Sequence, residues 1–233
     1  MDIGHSRIYQ NVFMNKLNIK SVLFDLDGTI VDTEKYYNNI WPDAFKKYGY
    51  NISSEDALGL RSLGQPFLDD YLKKLFGKVI DVTDIKNYAR SKLDESVNTY
   101  GLELKEGVID CLQFLKLNDI KSVVVTATSY ERSKMYIKKA KLEGFFDNII
   151  SAKEVPNGKP APDVYLKACN VLNVDPVETL AVEDSPNGAL SAIRAKCNVV
   201  MVPDLTEPDE ELKKSLYAVI PSLKALPSLF AVK

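Results

Sequence analysis

Two hydrophobic rhythms divide this chain. Unbroken apolar runs recur at Val22-Leu23-Phe24, Val123-Val124-Val125, Leu180-Ala181-Val182 and Val199-Val200-Met201-Val202. Short runs that are apolar at every position predict strands buried on both faces of a parallel sheet. Strands are expected at 20–24, 122–126, 148–151, 179–182 and 199–202. Between them the apolar spacing changes to three and four. Val108, Cys111, Leu112 and Leu115 predict one helix, a basic helix follows near 130–141, and Pro162 opens a third that carries Val164, Leu166 and Ala168. Strands alternating with helices argue for a parallel α/β sheet.

Residues 33–100 break that alternation. Three helical sets follow one another there: Tyr36, Tyr37, Ile40, Trp41, Ala44, Phe45 and Tyr48; then Phe67, Leu68, Tyr71, Leu72, Leu75 and Phe76; then Ile85, Tyr88, Ala89, Leu93 and Val97. Pro42, inside the first set, is expected to kink or break its helix. The block predicts a separate helical unit, residues 33–103, inserted into a core made of 20–32 and 104–233. Its tethers are expected near Asp32-Thr33 and Glu103–Gly107. Residues 1–19 show no period and are expected to form a loose tail. Met14 would leave lead enough for the first strand.

Composition narrows the function classes. Among 233 residues, 45% are hydrophobic and 27% charged, and the net charge is −2. That balance gives no electrostatic case for nucleic acid or an anionic membrane. No apolar run approaches the ~20 residues that span a bilayer, and the first residues lack the apolar core of a signal peptide. Three widely spaced cysteines, an odd count, read as reduced thiols, so a cytoplasmic location is expected. The single histidine, His5, leaves no histidine for a triad or a zinc site in the folded part.

The chemistry gathers at strand ends. Asp25-Leu26-Asp27-Gly28-Thr29 follows the first strand, Thr126 the second, and Glu183-Asp184 the fourth, while Lys159 in Gly158-Lys159-Pro160 stands ahead of a helix. Ligands of an open parallel sheet bind outside its carboxyl ends, so four acids, a hydroxyl and a lysine should meet there. Residues at i and i+2 share a face, so Asp25 and Asp27 can reach one ligand. Gly28 lets the chain turn, and Thr29 is expected to orient Asp27. Paired acids suit a hard divalent cation, and a lysine serves phosphate as a point charge. Each segment alone has a plainer reading. The aspartate loop or the Glu183-Asp184 pair could cap a helix, Thr126 could end a strand, and Lys159 could be a solvated turn charge. Thr128 and Ser129 read as cap candidates. The combination favours phosphoryl chemistry. Phosphate-monoester hydrolysis can demand ~10²¹-fold acceleration, which needs nucleophile, proton donor, metal and clamp together.

From about Ile19 to Val202 the chain resembles the haloacid dehalogenase superfamily, in its branch of β-phosphoglucomutase-like and sugar-phosphate phosphatases with a helical cap. The resemblance rests on Asp25-Leu26-Asp27-Gly28-Thr29, Val125-Thr126, Gly158-Lys159-Pro160-Ala161-Pro162-Asp163 and Val182-Glu183-Asp184-Ser185-Pro186-Asn187-Gly188, in that order. It implies a parallel-sheet, Rossmann-like α/β core with an inserted all-helical cap domain. Asp25 would be the nucleophile that forms an aspartyl-phosphate. Asp27 would protonate the leaving alcohol and then activate water. Thr126 and Lys159 would hold the phosphoryl group, with Leu26 and Ala127 also beside it. Mg²⁺ would be bound by Asp25, the Asp27 carbonyl and Asp184, with Glu183 as ligand or supporting carboxylate.

The cap departs from the sugar mutases. Phe67 stands where they carry an arginine for a second phosphate, and Tyr37 where they carry a histidine. Leu58-Gly59-Leu60-Arg61 is instead similar to the cap of 2-deoxyglucose-6-phosphate and hexitol-phosphate phosphatases. Arg61 is expected to touch the leaving group or the core site on closure, against the plainer reading of a surface salt bridge. Its removal is expected to change kinetics and leave stability within ~0.5 kcal/mol. Arg61, Lys73 and Lys74 are the cap cations considered as a second clamp, and the lysines are expected to face solvent.

These readings converge on a monomeric, Mg²⁺-dependent phosphatase of small phosphorylated metabolites, sugar or polyol phosphates. The alternatives are a phosphosugar mutase on the same core and a catalytically silent binding protein. A dehalogenase would leave the second aspartate and the metal acids without a purpose.

Overall fold

The structure is a computed structural model that describes residues 19–230. The expected tail therefore lies, but for Ile19, outside the described residues. After β1 (Ser21–Phe24) come four helices: α1 (Glu34–Lys47), α2 (Ser54–Gly59), α3 (Phe67–Phe76) and α4 (Thr83–Tyr100). The chain then alternates: α5 (Val108–Leu117), β2 (Lys121–Thr126), α6 (Tyr130–Lys139), β3 (Asn148–Ser151), α7 (Asp163–Leu172), β4 (Thr179–Glu183), α8 (Pro186–Arg194), β5 (Asn198–Met201), α9 (Glu210–Ser215) and β6 (Ala218–Val219). All strands are parallel, in the order β3-β2-β1-β4-β5-β6. The five expected strands are present. The two-residue β6 is an addition, too short for any periodic signal.

Alternation within each strand splits the core into two layers. Val22, Phe24, Val124, Leu180, Val182 and Val200 face Cys111, Leu112, Leu115, Tyr136 and Leu226. Leu23, Val123, Val125, Ala181, Val199 and Met201 face Val164, Tyr165, Ala168, Ala189 and Ala192. A sheet covered on both faces explains why its strands are apolar throughout. The cysteines Cys111, Cys169 and Cys197 are free and buried in these layers, as small hydrophobes.

The inserted helices have a core of their own: Ala44, Phe45, Leu68, Leu72, Ile80, Val82, Ile85 and Ala89. Helix α4 serves two cores, since its later residues Leu93 and Val97 pack into the sheet layer. Of the expected kink or break at Pro42, the break does not occur: helix α1 runs on through it. Proline removes one i→i−4 bond, and here buried Ala44 and Phe45 hold the following turn. The connections to and from the insertion lie side by side. The Asp32 N–H donates to the Glu103 carbonyl at 2.9 Å and the Lys105 N–H to the Ile30 carbonyl at 3.0 Å. Lys35 clasps both, at 2.7 Å from Asp32 and 2.7 Å from Glu103.

Opposite these tethers, the loop after α2 closes on the core. The Gly64 N–H donates to the Lys159 carbonyl at 2.8 Å, and the Gly158 N–H donates to the Gln65 carbonyl at 2.8 Å. A Cβ on Gly64 would stand 2.5 Å from the Gly158 Cα, so only glycine permits this approach. Further along the seam, Arg132 of α6 pairs with Asp94 of α4 at 2.5 Å, and Lys139 donates to Asn98 at 2.9 Å. Hydrogen exchange checks the closure: the Gly64 and Gly158 amides should be protected. Gly64→Ala should lower protection of both by at least about tenfold, whereas Gly144→Ala, into open space, should leave it unchanged.

Candidate active site

Strand β1 delivers Asp25 to the carboxyl edge of the sheet, where its N–H donates to the Val182 carbonyl at 2.9 Å. Gly28 then turns the chain at φ +85°, in the left-handed region open to glycine. A side chain there would strike the Asp184 carboxylate. Asp25, Lys159, Glu183 and Asp184 are all buried. The Lys159 ammonium donates to Asp25 Oδ1 at 2.6 Å, to Glu183 Oε1 at 2.6 Å and to the Val125 carbonyl at 3.0 Å. Tyr165 of α7 donates to Glu183 Oε1 at 2.5 Å. Lys159 is thus no solvated turn charge: all three of its donors are used inside the protein.

Arg61 reaches the same place from the inserted helices. Its guanidinium pairs with Asp184, with Glu34 at 3.2 Å and with Asp204 at 3.5 Å, and donates to Thr206 at 3.3 Å. Asn187, at the start of α8, donates to the Arg61 carbonyl at 3.0 Å. Arg61 is buried, so the surface-bridge alternative falls, and so does the expectation that its loss is nearly neutral. Removing one partner of a buried pair strands the other charge.

Asp27 is held differently. Its Oδ1 accepts from the Thr33 hydroxyl at 2.6 Å and its Oδ2 from the Thr128 hydroxyl at 2.8 Å. Thr29 does not orient it, since the buried Thr29 hydroxyl has no partner among the described residues. Thr128, expected as a cap, is instead an Asp27 ligand, and its N–H donates to Thr126 Oγ1 at 3.0 Å. Sequence spacing showed the threonines after β2 but not which carboxylate they would meet.

Charge decides the character of this site. Asp25, Glu183, Asp184 and Glu34 share two cations, Lys159 and Arg61. Burial pushes Asp25 well above the usual carboxylate range; Lys159 opposes this and Glu183 adds to it. Burial raises Asp184 likewise, against Arg61. Glu34 is raised to about 7 by burial, opposed by Arg61 and reinforced by Asp27 and Asp204. Oxygens of Asp25, Glu183 and Asp184 lie within 4.8 Å of one another. Glu183 Oε2 and Asp184 Oδ1 are buried without a hydrogen-bond partner. Convergent carboxylate oxygens, two of them orphaned, with an excess of negative charge fit a hard divalent cation.

A cavity of about 330 Å³ opens over this cluster, between the sheet edge and the inserted helices. Asp25, Asp27, Thr126, Ala127 and Arg61 line it, and Tyr37, Trp41 and Phe45 form part of its apolar wall. Tyr37 and Trp41 stack with ring centroids 5.7 Å apart, so part of the first aromatic stripe faces the cavity. Lys159, Glu183 and Asp184 are buried off that wall. Leu26 is a core residue whose side chain is not on the wall, which leaves only its backbone to serve a ligand.

Two measurements follow. In EDTA, Arg61→Ala should cost about 3–5 kcal/mol of stability in urea melts, because Asp184, Glu34 and Asp204 lose their shared cation. The raised carboxyls bind protons more tightly folded than unfolded. Metal-free stability should therefore fall as pH rises from Glu34's usual 4.5 through about 7. Glu34→Gln should flatten that decline; an unchanged slope would contradict the assignment.

A family model for haloacid dehalogenase-like hydrolases matches residues 22–202. The chain is 29% identical over 177 residues to the phosphorylated carbohydrates phosphatase of Thermotoga maritima, covering 75% of this chain and 80% of that one. It is 30% identical over 187 residues to hexitol phosphatase A of Escherichia coli, covering 80% and 84%. It is 30% identical over 189 residues to pyrophosphatase PpaX of Bacillus mycoides, covering 80% and 84%. In fold it is similar to a β-phosphoglucomutase structure from Clostridium difficile, with TM-score 0.72 and 24% identity over 89% of this chain and 93% of that one. The chain belongs to the haloacid dehalogenase-like hydrolase family, as an enzyme of its sugar-phosphate phosphatase branch.

Proposed function

We propose that this enzyme is a Mg²⁺-dependent phosphatase of phosphorylated sugars or polyols that works through an aspartyl-phosphate. The observation that carries the reading is a buried carboxylate, Asp25, held by Lys159 at 2.6 Å on the wall of a cavity that also presents Asp27. The substrate class rests on the carbohydrate and hexitol phosphatases among its relatives.

In the first step an Asp25 oxygen attacks phosphorus and the bond to the leaving alcohol oxygen breaks. Asp27, protonated, gives its proton to that alcohol. In the second step Asp27 takes a proton from water. The hydroxyl attacks the aspartyl-phosphate, inorganic phosphate departs and Asp25 is restored. Thr33 and Thr128, which hold both Asp27 oxygens, aim it at the cavity. Thr126 stands on the cavity wall with its hydroxyl hydrogen left to donate to a phosphoryl oxygen. Lys159 steadies Asp25 and offsets the phosphoryl charge. Asp25, the Asp27 carbonyl and Asp184, with Glu183, would hold Mg²⁺, which when bound supplies charge neutralisation for the transferring group. Residues 33–103 act as the cap, turning about the paired tethers to admit substrate and exclude water.

The test is phosphate release over phosphorylated sugars, polyols, nucleotides and pyrophosphate, with and without Mg²⁺. Asp25→Asn should abolish turnover in a folded protein, because an amide is no nucleophile. Asp184→Asn should weaken Mg²⁺ binding by at least about tenfold in titration. Turnover that survives EDTA and Asp25→Asn would sink the mechanism. The mutase reading is favoured by one observation, the cations Lys86, Arg90 and Lys153 on the cavity wall. β-Glucose 1-phosphate with a trace of the 1,6-bisphosphate separates the two. Phosphate release should outrun formation of glucose 6-phosphate, and the reverse by a large factor would make the enzyme a mutase.

A further inference from the structure

Arg61 belongs to the inserted helices, yet most of what it touches belongs to the core. Among the described residues, only Glu34 of its side-chain partners lies in the insertion, while Asp184, Asp204 and Thr206 lie in the core. Asp184 follows β4. Asp204 and Thr206 stand in the loop between β5 and α9, which the phosphoryl chemistry does not use.

Asp204 faces two ways. Its Oδ1 accepts from the Lys105 ammonium at 2.8 Å. Lys105 lies on the returning tether and also donates to Asp32, on the outgoing one, at 3.3 Å. Its Oδ2 lies 3.5 Å from the Arg61 guanidinium and is buried without a hydrogen bond. The side chain is only 10% exposed. A carboxylate so far removed from water depends on the charges beside it. With Lys105 on one oxygen, the other is left to Arg61. Two residues further on, the Thr206 hydroxyl accepts from the same guanidinium at 3.3 Å.

A continuous path of charge therefore runs from the tethers to the reacting centre, through Asp32, Lys105, Asp204, Arg61 and Asp184. The plainer reading makes Asp204 a counter-ion for Lys105 that firms the tethers. That reading accounts for Oδ1. It leaves unexplained why Oδ2 is buried toward the inserted helices and why Thr206 meets the same side chain. Only a planar fork with five donors can serve Glu34, Asp184, Asp204 and Thr206 together.

We propose that Asp204, aided by Thr206, is a positioning residue that receives Arg61 on the core side and so sets the share of molecules in which the cap is closed over Asp25. The inference rests on the cap motion of the phosphatase reading and adds to it the core residues that catch the cap. Asp204 touches no substrate and acts through Arg61. Because the same carboxylate holds Lys105 at the tethers, it links the pivot of the cap to the side chain that docks.

Hydrogen exchange tests this without substrate, at the Gly64 and Gly158 amides that bond across the seam. Asp204→Asn should speed their exchange at least about fivefold, but less than about twofold when added to Arg61→Gln. Arg61→Lys, which keeps the charge without the fork, replaces Arg61→Gln if that variant does not fold. Thr206→Val should move both amides in the same direction. Glu207→Gln, an equal loss of charge on an exposed side chain of the same loop, should move neither. No effect of Asp204→Asn overturns the proposal. So does an effect that persists without Arg61, which would make Asp204 a tether partner alone. In turnover, Asp204→Asn should raise KM about fivefold and leave kcat within about twofold, because a smaller closed share taxes apparent affinity before it limits the saturated rate. A loss confined to kcat also overturns it. If no phosphate ester is hydrolysed, the phosphatase reading falls, and the exchange measurements still decide the role of Asp204.

Discussion

The structure turns on an excess of buried negative charge at the carboxyl edge of the sheet. Asp25, Glu183, Asp184 and Glu34 converge there around only Lys159 and Arg61. Each ionised group taken from water costs several kcal/mol unless it is paired, so the arrangement is tolerable only because neighbouring segments bring cations to it. Lys159 arrives from the loop before α7, and Arg61 from the inserted helices. The remaining imbalance suits a divalent ion, and burial, with the neighbouring carboxylates adding to it, holds the Asp25, Asp184 and Glu34 carboxyls above their ordinary range. Stability and chemistry are therefore tied to the same atoms.

That charge also explains why the cap lies shut. Arg61 docks on Asp184 while Gly64 and Gly158 press backbone against backbone, and Arg132 and Asp94 close the far side. The cavity keeps an acidic floor near β1 and β4 and a cationic wall near β3, with aromatic rings in the space they share.

Much of this was legible along the chain. Apolar runs located five strands because strands covered on both faces admit few polar residues, and the polar residue that ends each run marks the edge where ligands bind. The motif acids, Thr126 and Lys159 are found together because β1, β2 and β4 are neighbours in the sheet. The unbroken helix at Pro42 and the strand β6 escaped the pattern for local reasons. A proline's lost bond is outweighed by packing on either side, and a two-residue strand carries no period.

The sequence by itself determined the alternating core, the helical insertion's existence and the set of groups able to do phosphoryl chemistry, since these depend on residue type and spacing. Only the tertiary structure decided which side chain meets which. Arg61 became a buried counter-ion to Asp184, Thr33 and Thr128 rather than Thr29 became the Asp27 partners, and Lys86, Arg90 and Lys153, from segments far apart in the chain, came to share one wall. Such pairings are set by how two packed units meet across a seam, and no periodicity within either unit encodes that contact.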